Sequence, residues 1–244
     1  MQRYFLEVSY KGTAFNGFQI QNNAVTIQSE VTKALQTFYR QPFELVGSSR
    51  TDAGVHALQN FFHFDVDETQ IQINNKHLYR LNAIISPDIV FKNIFPVSAD
   101  KHCRFNALSR EYQYFIYQNK NPFLKSTAWY YPYSLDIDKL NKAAQILLSH
   151  TNFTSFSKKH TQVKTFNCTI EYAKWFVQND CLVFNIKANR FLRGMVKSLV
   201  ATMLKVGRNQ ITLNEWEKII ETKNCSHADF SAPANGLFLV AVNY

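Results

Sequence analysis

The clearest helical pattern in the chain covers residues 26–39. Thr26 is suited to cap a helix, and the apolar positions that follow it recur at helical spacing. They fall at i, i+4, i+7, i+8 and i+11 and are Ile27, Val31, Ala34, Leu35 and Phe38. One face of this segment is therefore apolar, which predicts a helix packed against a core.

Four further segments are predicted to be helical. Asp136 caps a helix with the apolar positions Leu140, Ala143, Ala144, Leu147 and Leu148. The others cover residues 74–85, stopped by Pro87, then 190–206, with Gly207 as a C-terminal glycine, and 213–222.

Runs rich in β-branched and aromatic residues predict the strands. These cover residues 3–10, 43–49, 58–66, 89–95 (stopped by Pro96), 111–117, 166–177, 182–188 and 237–242. Strands and helices alternate unevenly, which favours the α+β class with antiparallel sheets. We expect two similar halves, residues 1–105 and 106–244, that join across a basic central cleft.

Composition narrows the possible partners. The 244 residues are 46% hydrophobic, enough for a sizeable core, and 27 Lys+Arg against 18 Asp+Glu give a net charge of +9. Such a surface favours an acidic polymer, with nucleic acid ahead of a membrane, although a merely basic protein is an equally good interpretation of charge alone.

Motifs for metals, disulfides and nucleotide cofactors are missing from the sequence. The four cysteines form no C-x-x-C pair, the dispersed histidines show no metal-ligand spacing, and seven glycines form no nucleotide-binding loop. We therefore expect no metal and no small-molecule cofactor. No signal peptide or membrane-length apolar run is present, which predicts a cytoplasmic protein.

The segment 47–57, GSSRTDAGVHA, carries the strongest chemical signal. Arg50 and Asp52 are two residues apart, so in extended chain their side chains point to one side, and Gly54 permits a tight turn. A guanidinium favours the ionised carboxylate, the form that acts as a nucleophile or general base. A structural Arg–Asp pair at a strand end explains the same spacing, and spacing alone favours it.

Two weaker signals lie in the second half. The predicted long helix carries three cations at i, i+3 and i+7, namely Arg190, Arg193 and Lys197. Such a stripe is suited to bind phosphates or to pair with a buried carboxylate, but a solvated helix face explains it equally well. Tyr112, on a predicted strand, could stack on a base, although strand tyrosines more often serve packing.

Motifs along essentially the whole chain resemble the bacterial tRNA pseudouridine synthases of the TruA type. The most specific is RTDAGVHA at 50–57. The others are YKG at 10–12, GFQ at 17–19, RFNA at 104–107, SREYQY at 109–114, FTSF at 153–156, ANRFL at 188–192, MVK at 195–197, AP at 232–233 and GL at 236–237.

The resemblance implies an isomerase that converts uridine to pseudouridine at positions 38–40 of the tRNA anticodon stem–loop. It implies Asp52 as the catalytic group, Tyr112 as a contact to the target base and Arg50 as a residue that enters the RNA. Lys197 stands where the family usually has an arginine paired with the catalytic carboxylate. A homodimer that binds tRNA, without a cofactor, is also implied. A synthase with another RNA target and a non-catalytic RNA-binding protein on the same fold remain alternatives.

Overall fold

A computed structural model describes residues 1–159 and 163–244. The chain forms two compact units. Unit 1 contains residues 1–108 and 239–244, and unit 2 contains residues 109–238. The sequence predicted a division between residues 105 and 106, with no return of the C-terminus to the first half.

Unit 1 is built on an antiparallel sheet. Its elements are β1 (Gln2–Tyr10), α1 (Ile27–Tyr39), β2 (Val46–Gly47), β3 (His56–Val66), α2 (Leu78–Ile84) and β4 (Ile89–Val97). β1 pairs with both β3 and β4, and the short β2 pairs with β3. α1 buries the predicted face against this unit, with Ile27, Val31, Ala34 and Leu35 inaccessible to solvent.

The predicted start of α1 is confirmed and has a second capping bond. The Thr26 hydroxyl accepts a hydrogen bond from the Ser29 N–H at 3.1 Å, and the Thr26 N–H donates to the Ser29 hydroxyl at 2.9 Å. Serine here takes the place of the usual Glu or Gln in a capping box. The helix ends where Arg40 adopts a left-handed φ of 57°.

Two strand predictions in unit 1 need correction. Pro96 does not end β4, because β4 is the outermost strand of the sheet and an edge strand can accommodate a residue without an N–H. The strand predicted at 43–49 is reduced to β2, since the chain on both sides of Val46–Gly47 is irregular.

Unit 2 combines mostly antiparallel strands with three helices. Its elements are β5 (Ser109–Tyr117), β6 (Trp129–Tyr130), α3 (Ile137–Ile146), β7 (Ile170–Gln178), β8 (Cys181–Ala188), α4 (Met195–Gly207), α5 (Leu213–Glu221) and the first residues of β9 (Leu237–Asn243). β8 lies between β5 and β7 and is antiparallel to both. α3 packs on β7 and on α4. The α+β class with mostly antiparallel strand pairing is confirmed.

The predicted long helix begins five residues later than expected. Gly194, with φ of +77°, precedes α4, and a residue in the left-handed region cannot continue a helix. Arg190 and Arg193 therefore lie in the loop between β8 and α4, and only Lys197 is helical. The predicted one-face stripe of three cations on a helix is wrong.

The end of α4 also differs from the prediction. Gly207 is the last helical residue, and the left-handed residue beyond it is Asn209, with φ of 58°. The N–H groups of Asn209 and Gln210 donate to the carbonyls of Val206 and Lys205 at 2.9 Å each, the pattern of a Schellman cap. Gly207 instead allows close packing, since a Cβ there would lie 2.9 Å from the Leu140 side chain.

None of the helices in the described part of the chain is long and apolar enough to cross a bilayer.

The cap of α1 makes a measurable contribution to stability. We expect Thr26→Ala to lower the free energy of unfolding by about 1 kcal/mol, because the Ser29 N–H loses its acceptor. Thr26→Ser keeps the hydroxyl and should recover most of this loss, whereas Thr37→Ala, at an exposed position of the same helix, should change little. Urea denaturation of the four proteins measures these differences, and equal losses in the alanine and serine variants would contradict the capping role.

Candidate active site

The six predicted site residues are divided between the two units. Arg50 and Asp52 belong to unit 1, and Tyr112, Arg190, Arg193 and Lys197 belong to unit 2.

Asp52 opens a tight turn between β2 and β3. The Val55 N–H donates to the Asp52 carbonyl at 3.2 Å, and Gly54 has φ of +80° at the third position of the turn. A turn with a positive φ at that position favours glycine, as the sequence predicted. Asp52 itself is half-buried, so its carboxylate is neither fully solvated nor enclosed.

A buried polar cluster holds the chain just before this turn. Asn60 on β3 is inaccessible to solvent; its amide oxygen accepts from the Ser49 N–H at 3.2 Å, and its amide nitrogen donates to the Ser49 carbonyl at 2.8 Å. The same nitrogen donates to the Tyr10 hydroxyl at 3.2 Å, and that hydroxyl lies 2.8 Å from the Thr51 hydroxyl. Asn60 therefore fixes the backbone at Ser49 and, through Tyr10, the residue next to Asp52.

Backbone from the loop after β1 closes over the other side of the turn. The Thr51 carbonyl accepts from the Phe18 N–H at 3.1 Å. Gly17, with φ of +92°, lies so close that a Cβ would be 3.2 Å from the Thr51 carbonyl oxygen. At Gly12, a Cβ would be 1.9 Å from the Val55 carbonyl oxygen, so no residue with a Cβ fits at this position without movement of the turn.

His56 completes the support of the turn. Its ring is buried, and Nδ1 accepts a hydrogen bond from the Gly12 N–H at 3.1 Å. A nitrogen that accepts has no proton, so this geometry assigns the proton of the neutral ring to Nε2. His56 thus links the end of the Asp52 turn to the loop after β1.

Arg50 is exposed and forms no ion pair with Asp52 among the described residues. The chain between β2 and β3 is irregular at these positions and presents the two side chains to different environments. The interpretation as a simple Arg–Asp structural pair therefore fails.

Tyr112 lies on β5, opposite Ile186 of β8. Its ring packs edge to face against Phe191, with 5.0 Å between the ring centres, and 9% of the residue is exposed. Phe191 belongs to the loop that carries Arg190 and Arg193, so this contact connects the tyrosine to the basic segment.

The basic segment consists of Arg190, Arg193 and Lys197. Within residues 1–159 and 163–244 neither arginine forms an ion pair, and Lys197 is half-buried in the first turn of α4, which has no acidic residue. The positive end of the helix dipole lies there too, so the segment has a potential that attracts anions. Burial raises the pKa of the nearby Cys168 thiol to about 11, although the charge of Arg190 acts in the opposite direction.

Sequence reasoning missed Asn60 and the role of His56. An asparagine within the strand of residues 56–66 was the available signal for Asn60, since asparagine is unfavourable in strands. His56 gave no such signal, because its partner Gly12 is 44 residues away.

Asn60→Ala is expected to destabilise unit 1 and loosen the Asp52 turn. The Ser49 N–H and carbonyl would be left without their partner in a buried position, which costs about 1–3 kcal/mol for such a group. Amide hydrogen exchange should accelerate over residues 48–55. Asn93→Ala, at a half-buried strand position of the same unit, is the matched control, and equal exchange in both variants would exclude the bracing role of Asn60.

Comparison with known proteins identifies the relatives of this chain. A family model described as tRNA pseudouridine synthase matches residues 143–244. The chain is 43% identical to tRNA pseudouridine synthase A of Bacteroides fragilis over 245 residues, which cover 100% of this chain and 97% of that protein. It is 42% identical to the protein of the same name from Parabacteroides distasonis (100% and 96% covered) and 35% identical to that from Staphylococcus aureus (97% and 89%). The chain therefore belongs to the tRNA pseudouridine synthase family.

Proposed function

We propose that this chain converts uridine to pseudouridine at positions 38–40 of the tRNA anticodon stem–loop, with Asp52 as the catalytic nucleophile. The observation that carries the proposal is the half-buried Asp52 carboxylate on a turn whose backbone is fixed on both sides. A reacting group has to be held close to its productive geometry, and a turn braced by Asn60 and Gly17 supplies that rigidity.

The reaction is an isomerisation. The C–N glycosidic bond of uridine breaks, the uracil turns, and a C–C bond forms through C5, with no net oxidation or reduction. A carboxylate can attack the sugar at C1′, remove a sugar proton to give a glycal-like intermediate, or attack C6 of the base. All three routes require an ionised Asp52 in contact with the nucleotide.

Binding energy has to remove the target uridine from its stack. Unstacking costs a few kcal/mol, which contacts to phosphates and bases can offset. The basic residues Arg190, Arg193 and Lys197 are suited to the RNA backbone, and exposed Arg50, two residues before Asp52, is suited to enter the RNA. Tyr112 is the proposed contact to the base.

The oligomeric state and the localisation are proposed from the resemblance to the TruA-type synthases. We infer a cytoplasmic homodimer in which one tRNA contacts both subunits. The basic cleft between the halves of the chain stays a prediction.

Asp52→Asn and Asp52→Ala test the nucleophile. Both variants should lower pseudouridine formation at least about 1,000-fold, since they remove the reacting carboxylate, while the Kd for tRNA changes little. Product is measured on an anticodon stem–loop transcript, and Kd by filter binding at a fixed salt concentration.

The matched control for this test is Asp88→Asn, at another half-buried aspartate of unit 1, which should retain activity. Substantial product from Asp52→Ala would sink the assignment. Loss of product together with tRNA binding would instead assign Asp52 to RNA recognition.

Substitutions of Lys197 test whether the charge of the basic segment contributes to activity. Lys197→Met should lower kcat/KM by roughly 10- to 100-fold, the scale of a lost hydrogen bond to a charged group, whereas Lys197→Arg retains the charge and should not lower activity. Lys174→Met, at an exposed position of β7, is the control for general loss of charge. A large loss in Lys197→Arg would mean that lysine has a role of its own.

The target is tested in cells. Mapping pseudouridines in total RNA with and without the gene should show loss at tRNA positions 38–40. Loss at other RNA sites would favour the synthase with a different target, and an unchanged map would favour the non-catalytic RNA-binding alternative.

A further inference from the structure

A cluster of two histidines and one cysteine lies in unit 1, away from the Asp52 turn in sequence. His63 is on β3, and His102 and Cys103 follow one another in the loop after β4. One ligand atom from each of the three side chains lies within 4.8 Å of the other two. His63 and Cys103 are buried, and His102 is half-exposed.

The two inner residues are already in contact. His63 Nδ1 lies 3.1 Å from Cys103 Sγ and accepts from the Cys103 N–H at 3.4 Å, so the proton of this ring is on Nε2 and the lone pair of Nδ1 faces the sulfur. The sulfur also lies 3.1 Å from the Val46 carbonyl oxygen. Imidazole nitrogen and thiolate sulfur are the ligands that zinc prefers.

His102 offers the third ligand from the solvent side. Its Nδ1 accepts from the N–H groups of Arg104 at 3.1 Å and Phe105 at 3.4 Å, and its ring lies edge to face with His63 at 4.6 Å between centres.

The distances are compatible with a tetrahedral ion after small shifts. Zn–S and Zn–N bonds of about 2.3 and 2.05 Å place sulfur and nitrogen roughly 3.6 Å apart. The His63–Cys103 contact at 3.1 Å has to open by about 0.5 Å, and no pair of ligand atoms has to close by more than about 1.5 Å.

We propose that His63, His102 and Cys103 bind one Zn²⁺, with a solvent molecule as the fourth ligand on the side of His102. Binding replaces the thiol proton of Cys103, which is released to solvent. The ion would join β3 to the loop after β4, and the hydrogen bond that the Cys103 thiol donates to the Val46 carbonyl at 3.1 Å would be lost with the thiol proton. Its proposed role is to hold these two segments together.

Metal binding is measured on the full-length protein in reducing buffer after chelator treatment, without RNA. Competition with a chromogenic chelator should show one Zn²⁺ per chain, and Co²⁺ should give a thiolate charge-transfer band with tetrahedral d–d transitions. Cys103→Ser should abolish that band and weaken Zn²⁺ binding at least about 100-fold. Zn²⁺ should raise the Tm of the unsubstituted protein but not that of Cys103→Ser.

His102→Gln keeps the proposal testable if the buried Cys103→Ser variant does not fold, because His102 is half-exposed. It should weaken Zn²⁺ binding while leaving the metal-free Tm nearly unchanged. Cys225→Ser and His227→Gln, less buried residues of unit 2, are the matched controls and should bind Zn²⁺ normally. Absence of Zn²⁺ binding, binding that persists in the His102 and Cys103 variants, or binding lost in the controls would overturn the proposal. None of these readouts depends on pseudouridine formation.

Discussion

The hydrogen bonds of Asn60 are the constraint on which the rest of the proposed active site depends. The chain that leads to Asp52 leaves the regular strand pairing after the Ser48 N–H, which donates to the Phe61 carbonyl of β3 at 2.8 Å, yet Ser48, Ser49 and Thr51 are buried. Buried backbone N–H and C=O groups without partners are costly. Asn60 satisfies both groups of Ser49 from a neighbouring strand, which makes this irregular path to Asp52 stable.

Close approach of two loops is the second half of the same constraint. Gly12 and Gly17 have no Cβ where one would meet the carbonyls of Val55 and Thr51. His56 then bonds the Gly12 N–H. The Asn60 amide, the Tyr10 hydroxyl, the His56 imidazole and the two glycines thus support one short turn. Substitution of any of them is expected to shift Asp52, although Asp52 itself is unchanged. A half-buried carboxylate in so rigid a frame fits a reacting group better than a surface charge.

Local rules predicted the elements that depend on local interactions. The periodic apolar faces and caps of α1 and α3 rest on residues three or four apart, and the structure forms both caps as expected, with Thr26 and Asp136 as acceptors.

The start of α4 was missed because helical spacing alone cannot reveal that Gly194 adopts a left-handed conformation. Pro96 was misread because its tolerance depends on β4 being an edge strand, a property of the whole sheet. The support of Asp52 was missed for a similar reason, since Asn60 and Gly12 reach the turn only through the fold. The His63–His102–Cys103 cluster has no sequence signature either, because His63 lies 40 residues before Cys103 along the chain.

The late start of α4 changes the physical meaning of Lys197. Within a long helix the lysine would be one of three cations on an exposed face. In the first turn of α4 it opposes the helix dipole, an unfavourable placement of about 0.3–1 kcal/mol for an exposed charge. A half-buried lysine at that end of a helix is stabilised when an anion lies nearby, and both a carboxylate and an RNA phosphate meet this requirement. Arginine satisfies it with a planar fork and two parallel hydrogen bonds, whereas lysine supplies a compact charge that can follow its partner. In the proposed role, lysine at this position would preserve the electrostatic attraction and relax the geometry, so charge is the property on which that role would depend.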